Sequence, residues 1–246
     1  MSKIAGKSAL VTGANRGIGR AFVKELLALG ATKVYAGARR PETLDDLVAE
    51  SGGKVVPLKL DVTKSDDVAQ ATNNLDVSIL INNAGIAGFS GFIGAEASDL
   101  GRSEMETNYF GTLNMAQAFA PILKANGGGA IINLGSIASH VNFPVLGTYS
   151  ASKAAVHSLT QGLRAELAAQ GTHVIGVYPG PVDTAMAEKF EADKTAPQDV
   201  VRQILQALED GDEDVFPDPT ATQLYDQILA DPVATAKMVG ENYLPA

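Results

Sequence analysis

SALVTGANRGIGRAFVKELLALG, Ser8 to Gly30, is the stretch that decides the fold. It opens on an apolar run (Ala9, Leu10, Val11) and passes through the glycine-rich turn TGANRGIG, Thr12–Gly19. It continues as an apolar-periodic helix marked by Ile18, Ala21, Phe22, Leu26 and Leu29. Apolar residues three and four apart lie on one helix face, whereas a short apolar run bounded by turn residues fits a buried strand. Strand, glycine turn and helix together form a cradle for a dinucleotide pyrophosphate, held on N–H groups at a helix N-terminus. In that reading Gly13 permits the tight turn, Gly17 the close approach of a phosphate, and Gly19 the packing of helix on sheet. Asn15, Arg16 and Ile18 belong to the same candidate cofactor-binding turn.

Beyond this unit, short β-rich runs alternate with helical stretches. Strands are expected at Ser8–Thr12, Lys33–Ala38, Lys54–Leu60, Ile79–Asn82, Ala130–Leu134, His173–Tyr178 and Asp214–Phe216. Helices are expected to start near Gly17, Pro41, Ser65, Leu100, Thr148 and Pro197, with a last one near Thr220–Ala230. Such alternation implies right-handed crossovers and a parallel sheet covered on both faces. The reading is α/β: one doubly wound, Rossmann-type domain over 1–246, with ligands at the carboxyl ends of the strands.

Composition bounds the function. The 246 residues suffice for one sizeable core, and 46% hydrophobic with 19% charged residues is ordinary globular composition. A net charge of -9 argues against nucleic acid or an anionic membrane as partner. With no cysteine, disulfides, thiolate catalysis and cysteine–zinc sites are excluded. Val77–Ala95 and Ala125–Ser152 lack Asp, Glu, Lys and Arg but are rich in Gly, Asn and Ser, so neither reads as a bilayer span. The N-terminus carries no secretory pattern, and a cytoplasmic location is expected.

The end of the second strand bears on the choice of dinucleotide. An acid there would accept hydrogen bonds from a ribose 2′-hydroxyl and repel a 2′-phosphate. This chain reads YAGARRPE, with Ala38 in that place, then Arg39 and Arg40, and with Arg16 in the glycine turn. An arginine fork matches a phosphate dianion, so NADP(H) is expected over NAD(H).

A second stretch carries the chemistry: LGSIASHVNFPVLGTYSASKAAV, Leu134 to Val156. Tyr149 and Lys153 lie four apart in a helical segment and so share a face. An ammonium beside a phenol favours the phenolate, so the phenol pKa is expected to fall below its usual ~10. Such a pair is a proton-transfer device, and the glycine turn at the other end of the sequence is its partner.

TGANRGIG, INNAG (Ile81–Gly85), Asn108, Ser136, Tyr149-Ser-Ala-Ser-Lys153 and PGPVDT (Pro179–Thr184), in this order, resemble a single-domain short-chain dehydrogenase/reductase. The likeness covers roughly three quarters of the chain, from Ser8 to Thr184. It implies Tyr149 as general acid or base, Lys153 lowering its pKa and holding the nicotinamide ribose, and Ser136 orienting the carbonyl oxygen. Asn108 resembles the residue holding a water of the proton relay. Asp61 and Val62 resemble the pair contacting adenine; Asn82, Ala84 and Gly85 line the adenosine–ribose side. Pro179, Gly180, Val182 and Thr184 resemble the segment fixing the nicotinamide face. The implied activity interconverts a ketone or aldehyde and its alcohol with NADP(H). The rival is a non-catalytic NADP(H)-binding regulator on the same fold.

The chain also departs from the family. Asp61 to Asn82 is 21 residues, which shortens the intervening helix by about a turn. The lid near 184–197 is short, implying an open pocket tolerant of bulky carbonyls. Asp214–Pro219 (DVFPDP) followed by an amphipathic stretch, with the C-terminal tail taken as 217–246, replaces the usual final strand pattern. Pairing through helices near Leu100–Lys124 and Thr148–Ala169 makes a homo-oligomer, dimer or tetramer, the expectation. His140, His157 and His173 have no metal-ligand spacing, so no metal is expected. His157 and His173 read as structural, whereas His140 follows Ser136 closely enough to line a substrate pocket.

Overall fold

In a computed structural model, which describes residues 2–188 and 191–245, the chain builds one parallel sheet. Its strands are β1 (Ser8–Thr12), β2 (Lys33–Ala38), β3 (Val55–Lys59), β4 (Val77–Asn82), β5 (Ala130–Leu134), β6 (His173–Val177) and β7 (Asp214–Val215). The order β3-β2-β1-β4-β5-β6-β7 reverses between β1 and β4, and that switch point opens a crevice at the carboxyl ends. β1 sits centrally, with Leu10 opposite Tyr35 on one side and Leu80 on the other.

The apolar runs divide by alternation. Ala9, Val11, Ile79, Ile81 and Ile132 pack on one face with Phe22, Leu26, Ile204 and Leu208. Leu10, Leu80 and Ile131 pack on the other with Met115, Phe119, Leu163 and Leu167. The first face is covered by α1 (Gly17–Ala28), α2 (Asp45–Glu50) and α7 (Pro197–Asp210). The second is covered by α3 (Ser65–Ala71), α5 (Gly111–Ala125) and α6 (Gly147–Leu167). A sheet buried on both sides explains why its strands read as nearly continuous apolar runs.

Several boundaries differ from expectation. The helix expected at Pro41 is a 3-10 turn over Pro41–Leu44 before α2, with proline at its first position. α4 (Ala97–Glu104) begins ahead of Leu100 and leads through a π-helical segment, Met105–Phe110, directly into α5. β7 stops at Val215 because Phe216 joins an aromatic cluster and Pro217 has no N–H for a ladder. The tail forms two helices, α8 (Pro219–Ala230) and α9 (Pro232–Asn242). Each starts Asp-Pro, and Asp218 and Asp231 accept from the backbone N–H three residues on.

Candidate active site

A cavity of about 980 Å³ lies at the carboxyl ends of the strands. Gly13, Asn15, Arg16, Gly17 and Ile18 line one end of it, ahead of the N-terminus of α1. Gly13 and Gly17 have φ of 65° and 53°, the left-handed region that glycine occupies without strain. A methyl on Gly13 would stand 3.0 Å from the Ala84 Cα. Gly19 does not line the cavity: a methyl there would overlap the Gly13 carbonyl oxygen, so its part is the packing of helix against turn.

Arg16, Arg39 and Arg40 are exposed and line the same cavity, with Ala38 buried at the end of β2. Arg20, by contrast, is committed to a two-pronged pair with Asp46. Asp61 and Val62 line the cavity as well, and the Asp61 carboxylate accepts from the Thr63 N–H and hydroxyl at 3.0 and 2.8 Å.

Ala84 and Gly85 line the cavity, but Asn82 does not. Asn82 is buried within the sheet, its amide donating to Asn133 Oδ1 at 2.9 Å. Asn83 stands in the wall instead. Its Nδ2 donates to the carbonyls of Thr12 and Gly13, tying β4 to the glycine turn. In a strand that alternates sides, the neighbour of an expected contact is the residue to test, and INNAG offered both asparagines.

Ser136, Tyr149 and Lys153 line the other part of the cavity, with Pro179, Gly180, Val182 and Thr184 beside them. Ser136 follows β5 and caps the 3-10 turn Ile137–Ser139, accepting from the Ala138 N–H at 3.1 Å. α6 carries Tyr149 and Lys153, both buried. Lys153 Nζ lies 5.7 Å from the Tyr149 ring centre and donates to the Leu134 carbonyl at 2.6 Å.

The expected fall of the phenol pKa does not occur. Burial pushes Tyr149 up to about 12, a hydrogen bond with Ser136 opposes this, and the Glu104 carboxylate adds to it. Burial likewise pushes Lys153 down to about 8. Desolvation disfavours whichever form is charged, and the Lys153 ammonium is directed to the Leu134 carbonyl. Near pH 7 the pair is therefore a neutral phenol beside a largely protonated ammonium.

Asn108 lies behind the cavity rather than on its wall, 1% exposed within the π-helical segment. Its Oδ1 accepts from the Ile86 N–H and its Nδ2 donates to the Ile86 carbonyl, each at 2.9 Å; Nδ2 also donates to Ser152 Oγ. It clamps the loop after β4 to α6. His140 does not line the pocket either. It stacks among His157, Tyr178, Phe216 and Tyr225, where burial, then the neighbouring His157, hold its imidazole down at about 4.

Four residues were not anticipated from sequence. Glu104 is fully buried, accepting from the Gly88 N–H at 2.7 Å and holding the loop after Gly85. Asp218, 3% exposed, accepts from the Gly180 N–H at 2.7 Å while capping α8, which sets the Pro179–Pro181 wall. Tyr243 and Leu244 reach the cavity from beyond α9. The Asp-Pro pair at 218–219 was a readable cap signal, but no local pattern announces a partner 38 residues away. Of the short lid, Ala185–Ala187 form a 3-10 turn and Val182 bridges Thr195; Lys189 and Phe190 lie outside the described residues. Among the described residues no group of His, Asp and Glu could hold a metal, and no helix is long and apolar enough to cross a membrane.

The doubly wound sheet, its glycine turn at the switch point and the serine, tyrosine and lysine in one cavity define an oxidoreductase scaffold. The chain belongs to the short chain dehydrogenase family, whose model matches residues 7–195. It is 38% identical over 220 residues to an uncharacterized oxidoreductase of Staphylococcus aureus strain MRSA252, covering 85% of this chain and 93% of that protein. It is 32% identical over 231 residues to the NADP-dependent 3-hydroxy acid dehydrogenase of Schizosaccharomyces pombe, covering 85% and 89%. A crystal structure of a short chain dehydrogenase from Burkholderia cenocepacia J2315 in complex with NADP superposes with a TM-score of 0.92 at 43% identity, covering 97% and 99%.

Proposed function

We propose that the chain is an NADP(H)-dependent carbonyl reductase or alcohol dehydrogenase. The observation carrying this reading is the convergence of Ser136, Tyr149 and Lys153 in one cavity that also holds the glycine turn and Arg16, Arg39 and Arg40. The cradle fits a dinucleotide: positive-φ glycines leave room for a phosphate, and the exposed guanidinium groups lining the same cavity would suit a 2′-phosphate. The NADP bound by the Burkholderia protein and the name of the fission yeast relative support the same cofactor. When bound, NADPH supplies the hydride.

The chain's own residues supply the proton and the positioning. A substrate carbonyl oxygen accepts from the Ser136 and Tyr149 hydroxyls. As negative charge builds on that oxygen, the neutral Tyr149 phenol gives up its proton, and the Lys153 ammonium stabilises the phenolate left behind. Asn108 serves this by fixing Ile86 and α6 rather than by touching substrate. Pairing of copies through α4, α5 and α6, with Phe110 43% exposed in the π-helical segment between the first two, is part of the same reading and is checked by sedimentation.

The test is loss of NADPH absorbance with a panel of ketones and aldehydes. Tyr149→Phe is expected to lose about 10²- to 10⁴-fold in kcat while binding NADPH as before. Tight NADPH binding with no turnover of any carbonyl would instead favour the regulator.

A further inference from the structure

One wall of the substrate end comes from the far end of the chain. Asn242 at the end of α9, with Tyr243 and Leu244 just after it, lines the cavity. Three contacts hold them there. The Val145 N–H donates to the Tyr243 carbonyl at 2.8 Å. The Phe143 and Tyr243 rings meet edge to face at 4.9 Å. Pro245 lies so close to Gly91 that a methyl on that glycine would stand 2.7 Å from the proline ring. Behind them α9 is anchored by buried Thr235 and Val239. The segment thus bridges the loop after β4 and the turn before α6.

This end of the cavity is apolar, with Phe89, Phe143, Val145 and Met186 in the wall beside Tyr243 and Leu244. Among the described residues the cations lining the cavity are Arg16, Arg39, Arg40 and Lys153. The arginines belong to the glycine-turn end, and Lys153 is buried with its ammonium on the Leu134 carbonyl. Glu191, within the short lid at 184–197, also lines the cavity. A substrate carboxylate here would lose its hydration without gaining a cation among the described residues, and Glu191 adds a like charge to the lining.

We infer that Tyr243 and Leu244 are specificity-determining residues that close the substrate end, and that the pocket they complete takes a neutral, apolar carbonyl compound in preference to a keto acid. The inference rests on the reductase reading above for the word substrate, but the pocket itself is testable without turnover. It also amends the expectation of an open pocket: the short lid at 184–197 is supplemented by a wall from the tail.

The test is calorimetry on the full chain saturated with NADP+, which cannot reduce a ketone. The probes are the ethyl ester of 3-benzoylpropionic acid and the free acid. The ester is expected to bind at least ~10-fold tighter than the acid, since only the acid buries an unpaired charge. Tyr243→Ala and Leu244→Ala are each expected to weaken ester binding about 3- to 10-fold through lost apolar contact. Tyr243→Phe keeps the ring and is expected to bind like the parent, and NADP+ affinity is expected to stay constant throughout. Equal binding of acid and ester, or alanine variants indistinguishable from the parent, would overturn the inference. Should the parent reduce no carbonyl while these affinities behave as expected, the pocket stands and the reductase reading falls.

Discussion

Lys153 is where burial and charge pull against each other. Its pKa, lowered to about 8, means that the ammonium facing Tyr149 is lost as pH rises through 8, well before the phenol at about 12 would ionise. Reduction is therefore expected to hold steady up to about pH 8 and to fall above it, a limb read from kcat/KM across a pH series. For stability the sign differs. The folded value lies below the ordinary 10.5, so burying Lys153 costs stability while it is charged, and that cost is relieved as pH rises from 8 toward 10.5. At the other end of the cavity, Arg39→Ala is expected to cut the ratio of NADPH to NADH efficiency by about 10- to 100-fold, the worth of one or two charge-assisted hydrogen bonds. Ser136, Tyr149 and Lys153 were legible because order and spacing announce them. The direction of the tyrosine's shift was not, since it depends on how dry the pocket is, and dryness is a property of neighbours far away in sequence.

Elements extend the argument to caps and packing. Asp218 joins two of them, capping α8 and holding the Gly180 N–H, so Asp218→Ala leaves one buried and one half-buried donor without this partner. The expected cost is about 2–4 kcal/mol, read from urea unfolding. Asp218→Asn, which keeps one acceptor, is expected to recover part of it. The ring cluster of His140, His157, Tyr178, Phe216 and Tyr225 joins the turn after β5 to α6 and α8. His140 titrates at about 4 when folded and near 6.5 otherwise, so its contribution is whole above pH 6.5 and drains away as pH falls toward 4. His140→Phe is expected to flatten that acid limb by about 1 kcal/mol at pH 5, allowing for partial exposure, when unfolding is compared at pH 7.5 and pH 5. Strands were the easiest elements to read, because a parallel strand covered on both faces leaves an unbroken apolar run. α9 was read only as an amphipathic tail, for its register depends on α8 and on two buried side chains rather than on a strong periodic face.

At the scale of the whole molecule the sheet order follows from alternation and crossover handedness, which is why the doubly wound fold was visible in the sequence. What escaped was every contact that joins distant segments: Glu104 to Gly88, Asp218 to Gly180, Tyr243 to Val145. None has a local signature, since each is a meeting of backbone groups and side chains that only the closed fold brings within reach.

The cavity's two ends are built by different people, so to speak, of the same chain: the arginine end comes from its first forty residues, the outer wall of the other from its last few. No hydrogen bond or ring contact described above links one to the other. Substitutions at Arg39 and at Leu244 are therefore expected to combine additively, within about 0.5 kcal/mol in a double-mutant cycle. The scaffold is in that sense modular, and a breeder of variants could retune its choice of reductant and its taste in reactants as separate exercises.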